Sequence, residues 1–434
     1  MKIFARTIPF SKDAVWLLDA FKNEKNLFFL DSGLSRANEG RFSYLGFAPF
    51  KMIETNDFNR LRAELKPYMT VKSTMPFGGG AVGRISYDGQ MRFGLYATVI
   101  CVDHQRRALT VSATGLPKRT AAAQAREAKE QIRQIIARIE KHTPMLTVSA
   151  AGVGLKMTSN TTRAQYIAAV KQALGHIRAG DIYQINLSHR FQGRIKAAQR
   201  RVSPTKIYQE LRAVSPSDFS AYLDDSTQVI LSSSPERFLK FDNRIAQVKP
   251  MKGTRPRATT RAKDMKYKNE LINSAKEKAE LLMVTDLERN DLGRVCEFGS
   301  VKVKAMRTIE EYATVFQATS TVEGKLRKDC DQFDLLASTF PSGSVTGCPK
   351  IEAMKIIGKL EKAKRGCYTG ALGYISFSGK MDFNVLIRTL FIDGNKVTFH
   401  VGGGIVADSD PANEYEETLL KATAMTASLE RIFK

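Results

Sequence analysis

Cysteine is scarce in this chain. Among 434 residues there are five: Cys101, Cys296, Cys330, Cys348 and Cys367. The number is odd, the spacings are long and no C-x-x-C occurs. A disulfide scaffold or structural zinc site is therefore not expected, and a reducing, cytoplasmic setting is. No run of about 18 apolar residues exists, so nothing reads as a membrane span. Residues 1–22 carry Lys2, Arg6, Lys12 and Asp13, which interrupt any apolar core and speak against a signal peptide. Internal repeats, low-complexity tracts, the P-loop and the dinucleotide fingerprint are all missing. Acidic residues are in deficit, with 44 Asp+Glu against 67 Lys+Arg and a formal charge of +23. That surplus raises a non-enzymatic, basic nucleic-acid-binding protein as an alternative. The densest basic run, 255–268, has one aromatic residue and no base-stacking stripe, so no nucleic-acid partner is expected.

With 43% hydrophobic and 26% charged residues the composition is that of a globular protein. The length suits two or three domains, or one large composite. From about 26 to 120, LFFLDSG, RFSYLGFAPF and GRISYD read as short strands, with PFGGGAVG at 76–83 as a turn. Residues 118–141 read as a surface helix with Ile132, Ile135 and Ile136 on its apolar side. The stretch 142–162 is the linker candidate. It separates an N-terminal region, 1–150, from a second region, 160–434.

Residues 163–179 predict a helix, with Ile167, Val170, Leu174 and Ile177 inward and Gly180 as its stop. IYQINLSHRF, 182–191, alternates. Tyr183, Ile185, Leu187 and Phe191, with His189 among them, form a buried face, while Gln184, Asn186, Ser188 and Arg190 form a polar one. Strands are expected near 226–233, 244–251, 370–377, 383–392 and 396–401. Helices are expected near 264–285, 349–360 and 412–432.

Several segments carry residues that local structure does not demand. Glu236 follows a strand end in LSSSPERF. Lys252, in KPMKGTRPR, shares strand parity with Val248 and so points inward. A buried lysine loses up to roughly 3–5 pKa units and becomes a usable nucleophile or base. Glu277 and Glu280, and again Glu414 and Glu417, are i, i+3 pairs. Each pair suits a solvated helix face. If the helices converge, the four suit a cation with all-oxygen ligation such as Mg²⁺. VGGGIVADSDP, with Gly402, Gly403 and Gly404, and FPSGSVTGCPK, 340–350, read as turns whose N–H groups suit an anion. Arg388, within the apolar strand FNVLIRTL, needs a carboxylate from the protein or from a ligand.

Together DIYQINLSHRF, SSSPERF, PMKGTRPR, ELLMVTDLERNDLGRVC, FPSGSVTGCPK, GCYTGALGYISF, NVLIRT and GGGIVADSDPANEYEETLLKA resemble, in order, the motifs of the chorismate-utilising enzymes. The likeness is strong over 160–430. It is weaker before that, through FFLDS and RFSYLG, where the amino-forming members hold a tryptophan site. The resemblance implies an α+β fold: a large composite of two facing β-sheets flanked by helices, with chorismate and Mg²⁺ between them. It implies Glu280 and Glu417 as Mg²⁺ ligands, supported by Glu277 and Glu414. Tyr368, Arg388 and the Gly403–Gly404 backbone would grip the enolpyruvyl carboxylate, and Thr346 and Gly347 would line the ring pocket. Glu236 resembles the general acid.

Two positions separate the members. The water-using enzymes have Lys where Gln184 stands, and Gln cannot act as a base on water. Anthranilate synthases usually read P-I-A-G-T, whereas aminodeoxychorismate synthases usually read P-I-K-G-T; this chain reads P-M-K-G-T with Lys252. The resemblance thus favours the latter: a transaminase-class amino transfer giving 4-amino-4-deoxychorismate for 4-aminobenzoate and folate, through a Lys252 adduct at C2. Anthranilate synthase component I is the enzymatic alternative. Two departures stand out. Gln317 occupies a position where the family often has His, and Cys348 occupies one where it has Ala. No G-x-C-x-G glutaminase turn occurs, so ammonia is expected from solution or from a glutamine amidotransferase subunit.

Overall fold

In a computed structural model of the protein, residues 2–34, 40–71, 73, 75–143, 154–196, 202–312 and 315–433 are described. Their strands pair antiparallel into two sheets. The twelve-stranded first sheet runs from Phe4–Pro9 at one edge through Phe28–Asp31 and Phe219–Asp224. It ends with Lys396–Ile405, Gln184–Arg194 and the short Gly347–Cys348. The ten-stranded second sheet runs from Met251–Pro256 and Val315–Lys325 through Arg237–Asp242, Met381–Val385 and Ala371–Ser376 to Gly80–Ile85, Met91–Tyr96 and Lys51–Thr55.

The sheets face each other across an aromatic core. Phe28, Tyr44, Leu223 and Phe391 of the first meet Val82, Tyr96, Leu372 and Tyr374 of the second. Alternation along each strand sends the other side chains outward, where helices cover them. Helices Ala121–Lys141, Pro204–Val214 and Pro411–Ile432 pack on the first sheet through Ile136, Leu211 and Leu429. Phe58–Leu65 and Gln332–Thr339 pack on the second through Leu61 and Leu336. This is the α+β composite of two facing sheets flanked by helices that the sequence implied. Both sheets draw strands from both sequence regions. The seams are Phe28–Asp31 against Phe219–Asp224 and Gly80–Ile85 against Ala371–Ser376.

Local signals set most element ends. Helix Arg163–Ala179 starts on a Thr162–Gln165 capping box and stops at Gly180, which has φ +81°. Its buried face is Tyr166, Val170, Ala173 and Leu174, rotated from the expected one; Ile167 and Ile177 are half-buried. Tyr166 wins a buried position because its hydroxyl reaches the Leu187 carbonyl at 3.1 Å. The helix expected at 264–285 is two, Arg261–Asn273 and Ala275–Gly293. Ser274 breaks the run and caps the second by accepting from the Glu277 N–H at 3.3 Å. The strand expected at 383–392 is also two, because Arg388 adopts a left-handed φ of 49° between Met381–Val385 and Thr389–Asp393. Of the expected linker, 144–153 lies outside the described residues, and its end, Thr158–Ser159, pairs with Gln184–Arg194.

Candidate active site

The site forms where the Gln184–Arg194 strand is held between two neighbours. On one side Asn186, Leu187 and Ser188 face Gly404, Gly403 and Gly402; on the other Gln184 and Ile185 face Cys348 and Gly347. The glycine triplet lies inside strand Lys396–Ile405 and not in a turn beyond it. The strand pairs with Thr389–Asp393 only over Lys396–Thr398. Past that point the two part, and one backbone edge beside the glycines opens.

The expected polar face of the strand is buried as well: Gln184 is 1% exposed, and Asn186 and Ser188 are buried beside it. Tyr183, expected on the apolar face, precedes the strand and is 68% exposed. Burial of the polar face is sustained by an ion pair. Arg365 and Glu361 meet at 2.8 Å with almost no exposed side chain. Glu361 accepts from the Ser188 N–H and hydroxyl at 2.8 and 2.9 Å. Arg365 donates to the Asn186 and Val345 carbonyls at 2.7 and 2.8 Å. The pair clamps the strand to the 342–347 turn, where Thr346, fully buried, accepts the Asn186 N–H through its carbonyl at 2.7 Å.

Lys252 arrives from the second sheet. A methyl group added at Gly404 would lie 2.7 Å from Lys252 Nζ and 3.5 Å from Gln184 Nε2, so the glycine marks where lysine and glutamine converge. Lys252 is only partly buried as a residue, yet its ammonium end is enclosed. Burial pulls its pKa down; Glu280, then Glu236 and Glu417, oppose this, and Lys421 adds to it. Gly253 next to it has φ +88°, and a side chain there would meet Glu277 Oε2 at 2.9 Å. Glycine thus lets this edge strand approach helix Ala275–Gly293.

Glu236 is 3% exposed and its Oε1 has no hydrogen-bond partner. Burial pushes its carboxyl up to about 8; the Ser344 hydroxyl offsets part of this, and Glu288 adds to it. Glu236 therefore holds a proton at neutral pH. The Gln184 Oε1 and Gln317 Oε1 atoms are buried and unpartnered in the same way.

The two glutamate-bearing helices share the charge of one lysine. Lys276 of Ala275–Gly293 lies 3.9 Å from Glu280 and acts on Glu414 and Glu417 of Pro411–Ile432. Glu414 is buried and accepts from the Ser409 hydroxyl at 2.6 Å. Burial raises its pKa. Glu417 pairs with Lys421 at 2.6 Å, which pulls its pKa down. Glu277 pairs with Arg255 at 2.7 Å through one oxygen and leaves the other buried and unpartnered. Among the described residues no three acidic, His or Cys side chains form a ready cage. Glu280 and Glu417, from different helices, both act on the Lys252 ammonium; such a donor set fits Mg²⁺, which takes one or two protein carboxylates and completes its shell with water and substrate oxygens.

Arg388 is enclosed and, among the described residues, only the Tyr312 phenol opposes the fall in its pKa that burial causes. A guanidinium so placed calls for an anionic ligand. Tyr368 is buried and stacks on His400 at 4.9 Å. Cys348 is a free, half-buried thiol whose pKa burial raises.

Sequence reasoning missed the Glu361–Arg365 clamp, whose i, i+4 spacing reads as a solvated pair. It also missed Glu288, 1% exposed. Glu288 continues the apolar stripe of Leu281 and Val284, and that was its signal. A separate cavity of about 420 Å³ between the sheets is lined by Asp31, Ser32, Phe42, Tyr44, Asp382 and Asn384. It includes residues of FFLDS and RFSYLG and none of the site residues above.

The sequence pattern of the family described as chorismate binding enzyme matches residues 40–427. An anthranilate synthase component I-like protein of Synechocystis sp. is 44% identical over 276 residues, 64% of this chain and 56% of that protein, so the match spans little more than half of the relative. Aminodeoxychorismate synthase component 1 of Escherichia coli is 36% identical over 85% of this chain and 81% of its own. The crystal structure of anthranilate synthase component I from Streptococcus pneumoniae superposes with a TM-score of 0.79 at 29% identity, covering 91% of this chain and 94% of that one. The chain belongs to the chorismate-binding enzyme family, in the branch typified by anthranilate and aminodeoxychorismate synthase component I.

Proposed function

We propose that the protein is an aminodeoxychorismate synthase component I, converting chorismate and ammonia to 4-amino-4-deoxychorismate. The observation that carries this reading is Lys252. Its amine is enclosed, its pKa is lowered, and it meets Gly404 and Gln184 in the cleft that Glu236 shares. A neutral amine at that point can add to C2 of the ring while the double bonds shift and the C4 hydroxyl departs. Glu236, protonated at neutral pH, supplies the proton that turns the hydroxyl into water. Ammonia then bonds to C4, the double bonds shift back and the Lys252 amine leaves. Gln184, standing where the water-using members have a lysine base, cannot itself take a proton from water.

Arg388 and Tyr368, with the Gly403–Gly404 backbone, bind the enolpyruvyl carboxylate, and Thr346 and Gly347 line the ring. Glu280 and Glu417 would hold Mg²⁺, with Glu277 and Glu414 supporting them. Bound there, the ion would supply Lewis-acid neutralisation of the ring carboxylate. A separate glutamine amidotransferase subunit supplies ammonia in the cell.

The test is product identity. Incubation with chorismate, Mg²⁺ and ammonium should yield 4-aminobenzoate only after an aminodeoxychorismate lyase is added. Fluorescent anthranilate without the lyase would overturn the assignment in favour of anthranilate synthase component I. Lys252→Ala should abolish the lyase-dependent product; unchanged product and rate would remove the nucleophile role.

A further inference from the structure

The proposed grip on the enolpyruvyl carboxylate draws on two pieces of chain. Gly403 and Gly404 belong to strand Lys396–Ile405, whereas Tyr368 lies in a turn ahead of strand Ala371–Ser376. The turn fixes the Tyr368 backbone. Its N–H donates to the Arg365 carbonyl at 3.1 Å, and the Thr369 N–H donates to the Leu386 carbonyl at 2.8 Å. Neither bond reaches the ring. The ring meets His400 instead, with 4.9 Å between centroids and 15° between planes. His400 stands in the glycine strand itself, opposite Arg190. By alternation it shares a face with Gly402 and Gly404. Both His400 and Tyr368 are buried. The Arg365 guanidinium, held by Glu361, lies 5.8 Å from the centre of the Tyr368 ring.

The imidazole offers its face and neither a charge nor a hydrogen bond at Nδ1. That nitrogen is buried and has no partner among the described residues. Burial, with Arg190, Arg365 and His189 adding to it, holds the His400 pKa down to about 3, so the ring is neutral at working pH. Burial raises the pKa of the Tyr368 phenol; Arg365 opposes this and Glu361 adds to it. Two neutral rings thus lie nearly parallel, which sets the plane of the tyrosine without burying a charge.

We propose that His400 is a positioning residue for chorismate binding: its ring is the platform that ties Tyr368 to the strand carrying Gly403 and Gly404, so that phenol and backbone meet one carboxylate together. His400 touches no reacting atom in this scheme. A carboxylate held at two points needs both at a fixed spacing. Loosening one weakens binding of substrate and transition state alike, which raises KM and spares kcat.

The inference rests on Tyr368 as a chorismate-binding residue, and its test follows chorismate loss, so that it reads out whichever amino product forms. His400→Ala should raise KM for chorismate about tenfold, the worth of a good aromatic pair, with kcat within about twofold of the wild type. His400→Leu fills the space without a flat ring. It should act in the same way, and it keeps the claim testable if His400→Ala does not fold. His400→Phe restores the flat face and gives up an unpartnered nitrogen, so KM should return to the wild-type value. In a Tyr368→Ala background, His400→Leu should have no further effect on KM. A wild-type KM in His400→Leu, a loss confined to kcat, additive losses, or a His400→Phe enzyme no better than His400→Leu would overturn the platform. A Tyr368→Ala enzyme of unchanged KM would instead overturn the binding role beneath it.

Discussion

In the proposed mechanism Glu236 and Lys252 need opposite protonation states to work together. The carboxyl must keep its proton and the amine must be without one. Burial serves both, because a low-polarity cleft disfavours either charged form. The carboxyl rises to about 8 and the amine falls, so burial moves the two groups toward the protonation states the proposed mechanism asks of them. As pH climbs through about 8, Glu236 loses its proton and kcat should fall. The limb on the other side belongs to Lys252, whose charging at lower pH removes the nucleophile. Glu236→Gln should cost about 10²–10⁴ in kcat and erase the basic limb; a limb that survives belongs to another group. The same shift bears on stability. A carboxyl raised in the folded state contributes stability that is fully present below its ordinary value of 4.5 and is lost as pH rises to about 8. Glu236→Gln should therefore melt higher than the wild type at pH 8.5 and show little gain at pH 5, as calorimetry at the two values would show.

At the scale of elements, the glycine triplet joins folding to chemistry, and its members should respond differently to one methyl group. A methyl on Gly402 would press to 2.5 Å of the Leu187 carbonyl, backbone that cannot give way. A methyl on Gly404 meets the tip of Lys252, which can swing aside. Gly402→Ala should cost about 1–3 kcal/mol of stability. Gly404→Ala should melt near the wild-type temperature and lose most of its chorismate turnover, because the displaced amine no longer reaches the ring. Thermal melts and turnover measured on both variants separate the two effects, and a stable, active Gly404→Ala would deny that Lys252 works at that point.

Elements of this kind were partly legible in the sequence. Helix Arg163–Ala179 was readable because its cap and its glycine stop are local signals. So was the alternation that turns Gln184 away from Ile185. The break at Ser274 is a local cap on Glu277 hidden within a run of good helix formers, whereas the left-handed Arg388 was not legible, because its carbonyl takes the N–H of Ser233, far along the chain. Strands Lys302–Glu311 and Val315–Lys325 gave weak patterns. The first is exposed at alternate positions, and the second is set by partners on both edges. Residue types marked Glu236, Lys252 and Arg388 as unusual, but only folding shows that lysine, glutamine and glycine meet at one point.

At the scale of the whole molecule, a charge of +23 would draw in the small anionic substrate of the proposed function. Lys252, Lys276 and Lys421 gather around the glutamate pairs, and among the described residues no carboxylate is found to neutralise Arg388. The cleft holding these groups depends on how the two sequence regions are joined. Strands from 1–113 form one end of each sheet and strands from beyond 158 form the other. The aromatic core between the sheets takes Phe28, Tyr44 and Tyr96 from the first part and Leu223, Leu372 and Tyr374 from the second. All the site residues lie in the second part, so catalysis alone would not require the first. Without it, however, Phe219–Asp224 and Ala371–Ser376 become bare sheet edges beside an uncovered apolar face, a template for aggregation. A fragment of residues 160–434 should thus be insoluble or lack a cooperative melt when made alone, and should recover both solubility and chorismate turnover when produced together with residues 1–150. A fragment that melts cooperatively by itself would show that the seams contribute little and that the two regions are independent domains.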